Sequence, residues 1–175
     1  QSPLYSQDMI DIYKNGKVDN YQYYDVDWKK EILKKTAFLQ NQSVSISGGS
    51  KNIHLFANAG YYWQDGQIKN NNFSRTTLRL NTDINLKKWM KVGLDINLRQ
   101  AKAKRPVMGE PTEIIGYALT MTPLMSCKNN DGTYGYGLNG VNPLAFIEVG
   151  GTRHDISPEI DVKETLDLTP IKGMD

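Results

Sequence analysis

The side chains able to do chemistry are few in this chain and none is arranged for catalysis. His54 and His154 are the only histidines, lie far apart, and have no second His or Cys at metal-ligand spacing. Cys127 stands alone, without a histidine nearby to activate it and without a partner for an internal disulfide. Ser43, Ser45 and Ser47 alternate like one face of a strand. Gly135-Tyr136-Gly137-Leu138-Asn139-Gly140 satisfies G-x-G-x-x-G literally. A dinucleotide site needs a strand before such a run and a helix after it, so that phosphate meets a helix N-terminus; here Val141-Asn142-Pro143 follows instead. Asn129-Asn130-Asp131-Gly132 lacks the acidic ligands and closing Glu of a calcium loop. The expectation is no enzyme, no cofactor and no metal.

The remaining chemistry is that of a patterned surface. Arg75, Arg79 and Asp83 recur at even spacing between Leu78, Leu80 and Ile84, and Asp95, Asn97 and Arg99 recur between Leu94, Ile96 and Leu98. Successive side chains of a strand point to opposite faces, so the two runs read as amphipathic strands. Lys87-Lys88-Trp89 between them reads as the turn of an antiparallel hairpin. A soluble sandwich would bury the apolar face in a core about 10 Å thick. A membrane barrel would show that face to lipid and line a wet lumen with the polar one.

The elements that position these residues repeat the pattern. Strands are expected near 42–47, 52–63, 74–86, 90–103 and 156–169, joined in sequence as a meander, with Glu164 the one misfit in the last. Asp27 is placed to cap a short helix through Lys34, and Pro111-Thr112-Glu113 to start one ending near Met121 before Pro123. Connections 48–51, 87–89 and 170–173 are short. Segments 1–40, 64–73 and 104–157 are long, and because strands alternate in direction all the long ones fall on one side. Short turns at one rim and long loops at the other is how outer-membrane barrels are built. The alternation also runs for about ten residues per strand, as a tilted membrane-spanning strand requires. Trp89 and the group Tyr61, Tyr62 and Trp63 sit at strand ends, where barrels carry aromatic girdles.

Composition sets limits rather than function. The 175 residues are enough for one domain with a core, and the net charge of +2 with pI 8.5 is too mild to imply nucleic acid. No stretch approaches the ~18 apolar residues of a membrane helix, which leaves a barrel open. Gln1-Ser2-Pro3-Leu4-Tyr5 lacks the basic start and apolar run of a signal peptide. Either export information has been removed or the chain begins mid-protein.

Asp27-Trp28, Ser47-Gly48-Gly49, Gly60-Tyr61, Gly66, Arg75, Leu78-Arg79-Leu80-Asn81, Trp89-Met90-Lys91-Val92-Gly93, Asp131-Gly132-Thr133-Tyr134, Asn142-Pro143 and Pro170-Ile171-Lys172-Gly173 follow one another in a distinctive order and spacing. From about Gly16 to Gly173 the chain thereby resembles the SusC/RagA type of TonB-dependent outer-membrane transporter, nutrient importers that pair with a SusD-like surface lipoprotein. Val26 departs from the Thr that the family usually has before Asp-Trp.

What the resemblance implies is an all-β fold, an antiparallel meander of about five long strands forming part of a larger transmembrane barrel, with a long helix-containing loop at 104–157. Such barrels have about 22 strands around a plug. Residues 1–40 are then an extracellular-type loop and 41–175 a partial barrel, with the plug, the TonB-binding box and the other strands expected outside this chain. The parent would import a nutrient, a glycan or oligosaccharide with peptide as the other choice, energised through TonB and assisted by the SusD-like lipoprotein. Arg75, Arg79, Asp83, Asp95, Asn97 and Arg99 would face the lumen, and Tyr134 and Tyr136 would meet sugar rings or the lipoprotein. The isolated chain, with two unpaired sheet edges and a bare apolar stripe, is expected to self-associate. The rival reading is a soluble all-β module that binds carbohydrate or a protein.

Overall fold

The computed structural model describes residues 5–15 and 24–169. Its five strands, β1 (Leu39–Gly49), β2 (Ile53–Asp65), β3 (Asn72–Lys87), β4 (Met90–Pro106) and β5 (Thr152–Leu168), form one sheet in sequence order. Four helices accompany them: α1 (Gln7–Lys14), α2 (Trp28–Ile32), α3 (Pro111–Thr120) and α4 (Pro143–Glu148). The chain divides into two compact units, a sheet unit of residues 37–66, 72–104 and 154–175 and a loop unit of residues 1–36, 67–71 and 105–153.

In the sheet unit the pairing follows the hydropathy pattern. β1 and β2 join with Val44 opposite Ala59 and Ile46 opposite Ala57. β2 and β3 join with Ala57 opposite Leu80 and Ala59 opposite Leu78, and β3 and β4 with Leu78 opposite Leu98 and Leu80 opposite Ile96. Opposite residues of an antiparallel pair share a face, so a slip of one residue would invert every side chain. On β5, Glu159 meets Arg99, Asp161 meets Asn97, and the Thr169 N–H donates to the Trp89 carbonyl, which continues the antiparallel order. Glu164 shares the parity of Val162 and Leu166, so the misfit stays on the apolar side.

The strands contain 11, 13, 16, 17 and 17 residues. At ~3.3 Å per residue the longest reach roughly 55 Å, well beyond the ~30 Å of a bilayer's hydrocarbon core. Each strand is longer than expected, most clearly at the start of β5, Thr152 instead of 156, although β2 begins at Ile53 rather than 52 and β5 ends at Leu168 rather than 169. The Pro170-Ile171-Lys172-Gly173 turn lies outside the described residues.

No described residue of the sheet unit is buried. Val44 and Ile46 are each 70% exposed and Ile160 71%. Among the described residues of the sheet unit none covers the apolar face, and in the five-stranded order β1 and β5 are the edges.

The loop unit is built the other way, around a core. Trp28, Ile32, Ile68, Ile114, Ala118, Met121, Leu144 and Ile147 are all buried in one cluster. Asp27 caps α2 as expected, its carboxylate accepting from the Lys30 N–H at 3.2 Å. The helix ends at Ile32, however, and not at Lys34. Leu33 is already extended with ψ 137°, bridging Ile68, and the Lys34 N–H donates to the Gln67 carbonyl at 2.7 Å. Pairing with 67–68 wins over another helical turn because it seats Ile68 in the core. α3 matches its expected span to within one residue and carries a capping box between Glu110 and Glu113.

Candidate functional site

The sheet's polar face gathers the six charged or amide residues singled out above. Arg79 stands opposite Asn97, Arg75 opposite Ala101, Asp83 opposite Gly93, and Thr77 opposite Arg99, which puts all six on the face that carries Asn81 and Asp95. All but Arg75 are cross-linked. The Arg79 Nε–H donates to Asn81 Oδ1 at 2.9 Å, and Asn81 in turn donates to Asp95. Asn97 donates to Asp161 at 3.3 Å, Arg99 pairs with Glu159, and Lys91 pairs with Asp83 at 3.5 Å. Exposed pairs of this kind contribute at most about 1 kcal/mol each. Their effect is to hold a mixed-charge, water-facing lattice in place rather than to stabilise the fold.

The apolar face carries a band bounded by aromatics. Tyr61 and Trp63 are opposite Thr76 and Ser74, and Trp89 ends the β3–β4 hairpin. From the Thr76 level to Leu86 the chain rises roughly 33 Å, which at a tilt of 35–45° spans about 25 Å, the height of the lipid band of a membrane barrel. Tyr62, grouped with Tyr61 and Trp63 in the sequence, stands on the polar face opposite Arg75. It is no part of the girdle.

In the loop unit the two tyrosines part company. Tyr136 is 79% exposed. Tyr134 packs against the core cluster, and its hydroxyl donates to Glu148 Oε2 at 2.9 Å. The same carboxylate accepts from Lys128 at 2.9 Å and Lys69 at 3.4 Å, and Lys128 lies 5.1 Å from the centre of the Tyr134 ring. The hydrogen bond from Lys128, then those from Tyr134 and Lys69, hold the Glu148 carboxyl below its ordinary value. That lowering makes Glu148 a source of stability above its usual pKa of 4.5, lost as pH falls through 4.5 toward the lower folded value. Acid titration of the loop unit, followed by hydrogen exchange, is expected to show protection falling below that point, and Glu148→Gln to flatten the change.

The glycine run and its neighbours are explained by local geometry. A Cβ at Gly135 would lie 2.1 Å from the Ser126 carbonyl oxygen, and Gly137 takes φ +64° with the Val141 carbonyl 1.9 Å from where its Cβ would be. Asp131 closes a tight turn by accepting from the Thr133 N–H at 2.9 Å and its hydroxyl at 2.6 Å. Burial pushes the Cys127 thiol up, away from a reactive thiolate.

The expectation that Val141-Asn142-Pro143 takes the place of a helix is corrected here: α4 starts at Pro143, and Asn142, which sequence reasoning gave no role, caps it and ties the loop together. Asn142 is 4% exposed. Its amide donates to the Cys127 and Gly135 carbonyls at 2.8 Å each, and its oxygen caps α4 by accepting from Leu144 and Ala145 at 3.0 and 3.2 Å. The signal was present: an N-cap Asn, a Pro at the first helical position and an apolar run. Asn142→Ala, which loses the cap and the donor to the Gly135 carbonyl while the Cys127 carbonyl keeps the Gly135 N–H, is expected to destabilise the loop unit by about 2 kcal/mol. Asn142→Asp keeps the cap yet sets a carboxylate against those carbonyls, so it should do no better. Urea titration of the full-length parent, read on loop-unit peptides by hydrogen exchange, checks both.

No protein-family model matches the chain. Among the curated proteins it resembles is TonB-dependent receptor P3 of Formosa agariphila, 29% identical over 139 residues, covering 75% of this chain and 14% of the relative. TonB-dependent receptor P26 of the same organism is 28% identical over 116 residues, covering 66% and 11%. The solved RagAB peptide transporter superposes with a TM-score of 0.57 at 25% identity, covering 93% of this chain and 20% of that one. RagAB described as a peptide importer in its closed-closed state gives 0.59 at 24% identity, covering 86% and 18%. The chain thus spans 11–14% of the length of these curated relatives. With a sheet that has no core of its own, two open edges and an apolar band of membrane height, the chain is similar to a segment of these TonB-dependent receptors and of RagAB.

Proposed function

We propose that this segment forms part of the wall of an outer-membrane importer, energised through TonB, that takes up a nutrient oligomer. The single observation that carries the reading is the division of five consecutive strands into a bare apolar face and a cross-linked polar face, with no buried residue among the described residues of the sheet unit. A soluble binding module would need the apolar face covered. Arg75, Arg79, Asp83, Asp95, Asn97 and Arg99 line the hydrated lumen, and the loop unit is the external loop region, with Tyr136 its most exposed aromatic contact for cargo or for a SusD-like lipoprotein.

The cargo we favour is an oligosaccharide, whose hydroxyls suit a wall of paired charges and amides that both donate and accept. The second reading is a peptide, which the naming of the RagAB neighbours as a peptide importer favours. Deleting the gene of the full-length receptor and measuring growth on oligosaccharides and on peptides as sole nutrients tests both. Loss confined to sugars supports the first, loss confined to peptides replaces it with the second, and growth unchanged on every nutrient overturns import.

For the 175-residue chain by itself we infer self-association through the stripe of Val44, Leu55, Leu78, Ile160 and Val162, all exposed. Light scattering in detergent-free buffer is expected to show large particles. A monomer with a cooperative melt would contradict this.

A further inference from the structure

At one place the polar face is not a lattice of paired charges. Tyr62 and Phe73 meet edge to face, ring centres 6.0 Å apart at 62°, and the Arg75 guanidinium carbon lies 5.6 Å from the centre of the Tyr62 ring. The Tyr62 hydroxyl donates to Gln64 at 2.6 Å, which fixes the ring. Arg99 and Lys91 on the same face are paired with carboxylates and Arg79 with an amide. Arg75 has no carboxylate partner among the described residues. On the next strand Arg75 faces Ala101 and Phe73 faces Ala103, so the β4 side is a low, open floor.

A guanidinium stacked over a ring keeps its in-plane N–H fork free, and that fork matches a carboxylate bidentately. A fixed aromatic pair beside it offers an apolar edge to the C–H face of a sugar ring. We infer that Tyr62, Phe73 and Arg75 form a subsite on the lumen wall for an acidic sugar unit, a uronate, with Arg75 holding the carboxylate and the aromatic pair supporting the ring. The inference rests on the proposed import of oligosaccharides and adds the charge of the cargo to it. The unpaired cation is what selects an acidic sugar over a neutral one.

Calorimetry on the full-length receptor purified in detergent, with trigalacturonate and its fully methyl-esterified, uncharged form, tests this. The wild type is expected to prefer the acid by about tenfold, the scale of one charge-assisted bidentate contact. Arg75→Gln should erase the preference, Arg75→Lys should keep part of it, and Tyr62→Ala should weaken both ligands alike. Heat resistance of the folded barrel on gels shows that each variant folds. Equal binding of acid and ester by the wild type, or a preference that survives Arg75→Gln, overturns the subsite. So does an Arg75-dependent preference for triglutamate with trigalacturonate unbound, which would assign the carboxylate to a peptide. Uptake of neutral oligosaccharide by wild-type cells whose receptor binds acid and ester equally would fail the subsite and leave the import reading standing. No uptake of any oligosaccharide by the wild type fails that reading itself.

Discussion

Trp28→Ala is expected to unfold the loop unit. Trp28 is 2% exposed, packs in the buried cluster with Ile32, Ile114 and Leu144, and donates its indole N–H to the Thr122 carbonyl at 3.1 Å. Removing a buried Trp side chain costs about 3–5 kcal/mol, and because the Thr122 carbonyl still accepts from the Met125 N–H the loss is one of packing. A unit of this size has little more than that to spare. Trp28→Phe, which keeps most of the apolar volume and loses the donor, should cost about 1–2 kcal/mol. Hydrogen exchange on the full-length receptor is the measurement. Peptides spanning 111–121 and 143–148 should exchange at once in Trp28→Ala and more slowly in Trp28→Phe. Wild-type protection of both peptides in Trp28→Ala would mean that the cluster does not hold the unit together.

The second large effect belongs to the lipid band. Leu80 and Ile96 stand opposite each other on the apolar face, close to midway between the Thr76 level and Leu86. Arg at either position is expected to cost about 2–4 kcal/mol, as for a cation at the bilayer midplane. Arg79→Ala and Asn97→Ala, one residue away on the polar face, lose only exposed hydrogen bonds and should cost less than about 1 kcal/mol. The yield of heat-resistant barrel in outer membranes separates the two sets. Similar losses from both would mean that the faces are misassigned.

The sheet was legible because period-2 alternation is written in single residues. Leu78, Leu80, Leu94 and Ile96 fix the faces and, through them, the register. What the alternation does not mark is where a strand stops. Leu39-Gln40-Asn41 and Thr152-Arg153 show no alternation, and they are extended because their backbones continue a ladder already begun. α1 is amphipathic and starts from a Ser6 cap that accepts from the Met9 N–H at 3.3 Å, but its eight residues sit in a stretch whose aromatics dominate the reading. The loop unit was the least legible part. Ile68 looks like an ordinary loop residue, and the meeting of Lys69, Lys128, Tyr134 and Glu148 has no local signature, because the partners belong to separate stretches of chain. Tyr62 shows the limit of reading by composition. Three aromatics in a row suggest one girdle, yet the pleat sends the middle one to the other face, beside Arg75.

The discontinuity of the loop unit also sets an order of assembly. Its core draws on residues 28–32, 68, 114–121 and 144–147, and the Trp28 to Thr122 bond closes a separation of 94 residues. The β1–β2 and β3–β4 hairpins close over turns of only a few residues, and hairpins form in about 1–10 μs. Contacts between distant residues come late, since their closure entropy is spent before they return anything. The wall therefore zips from its short turns, and each zipped hairpin shortens the effective chain between the pieces of the loop core. Cys127, partly buried against that core, should therefore label faster before the loop core has closed than after it, and thiol labelling during refolding measures the delay.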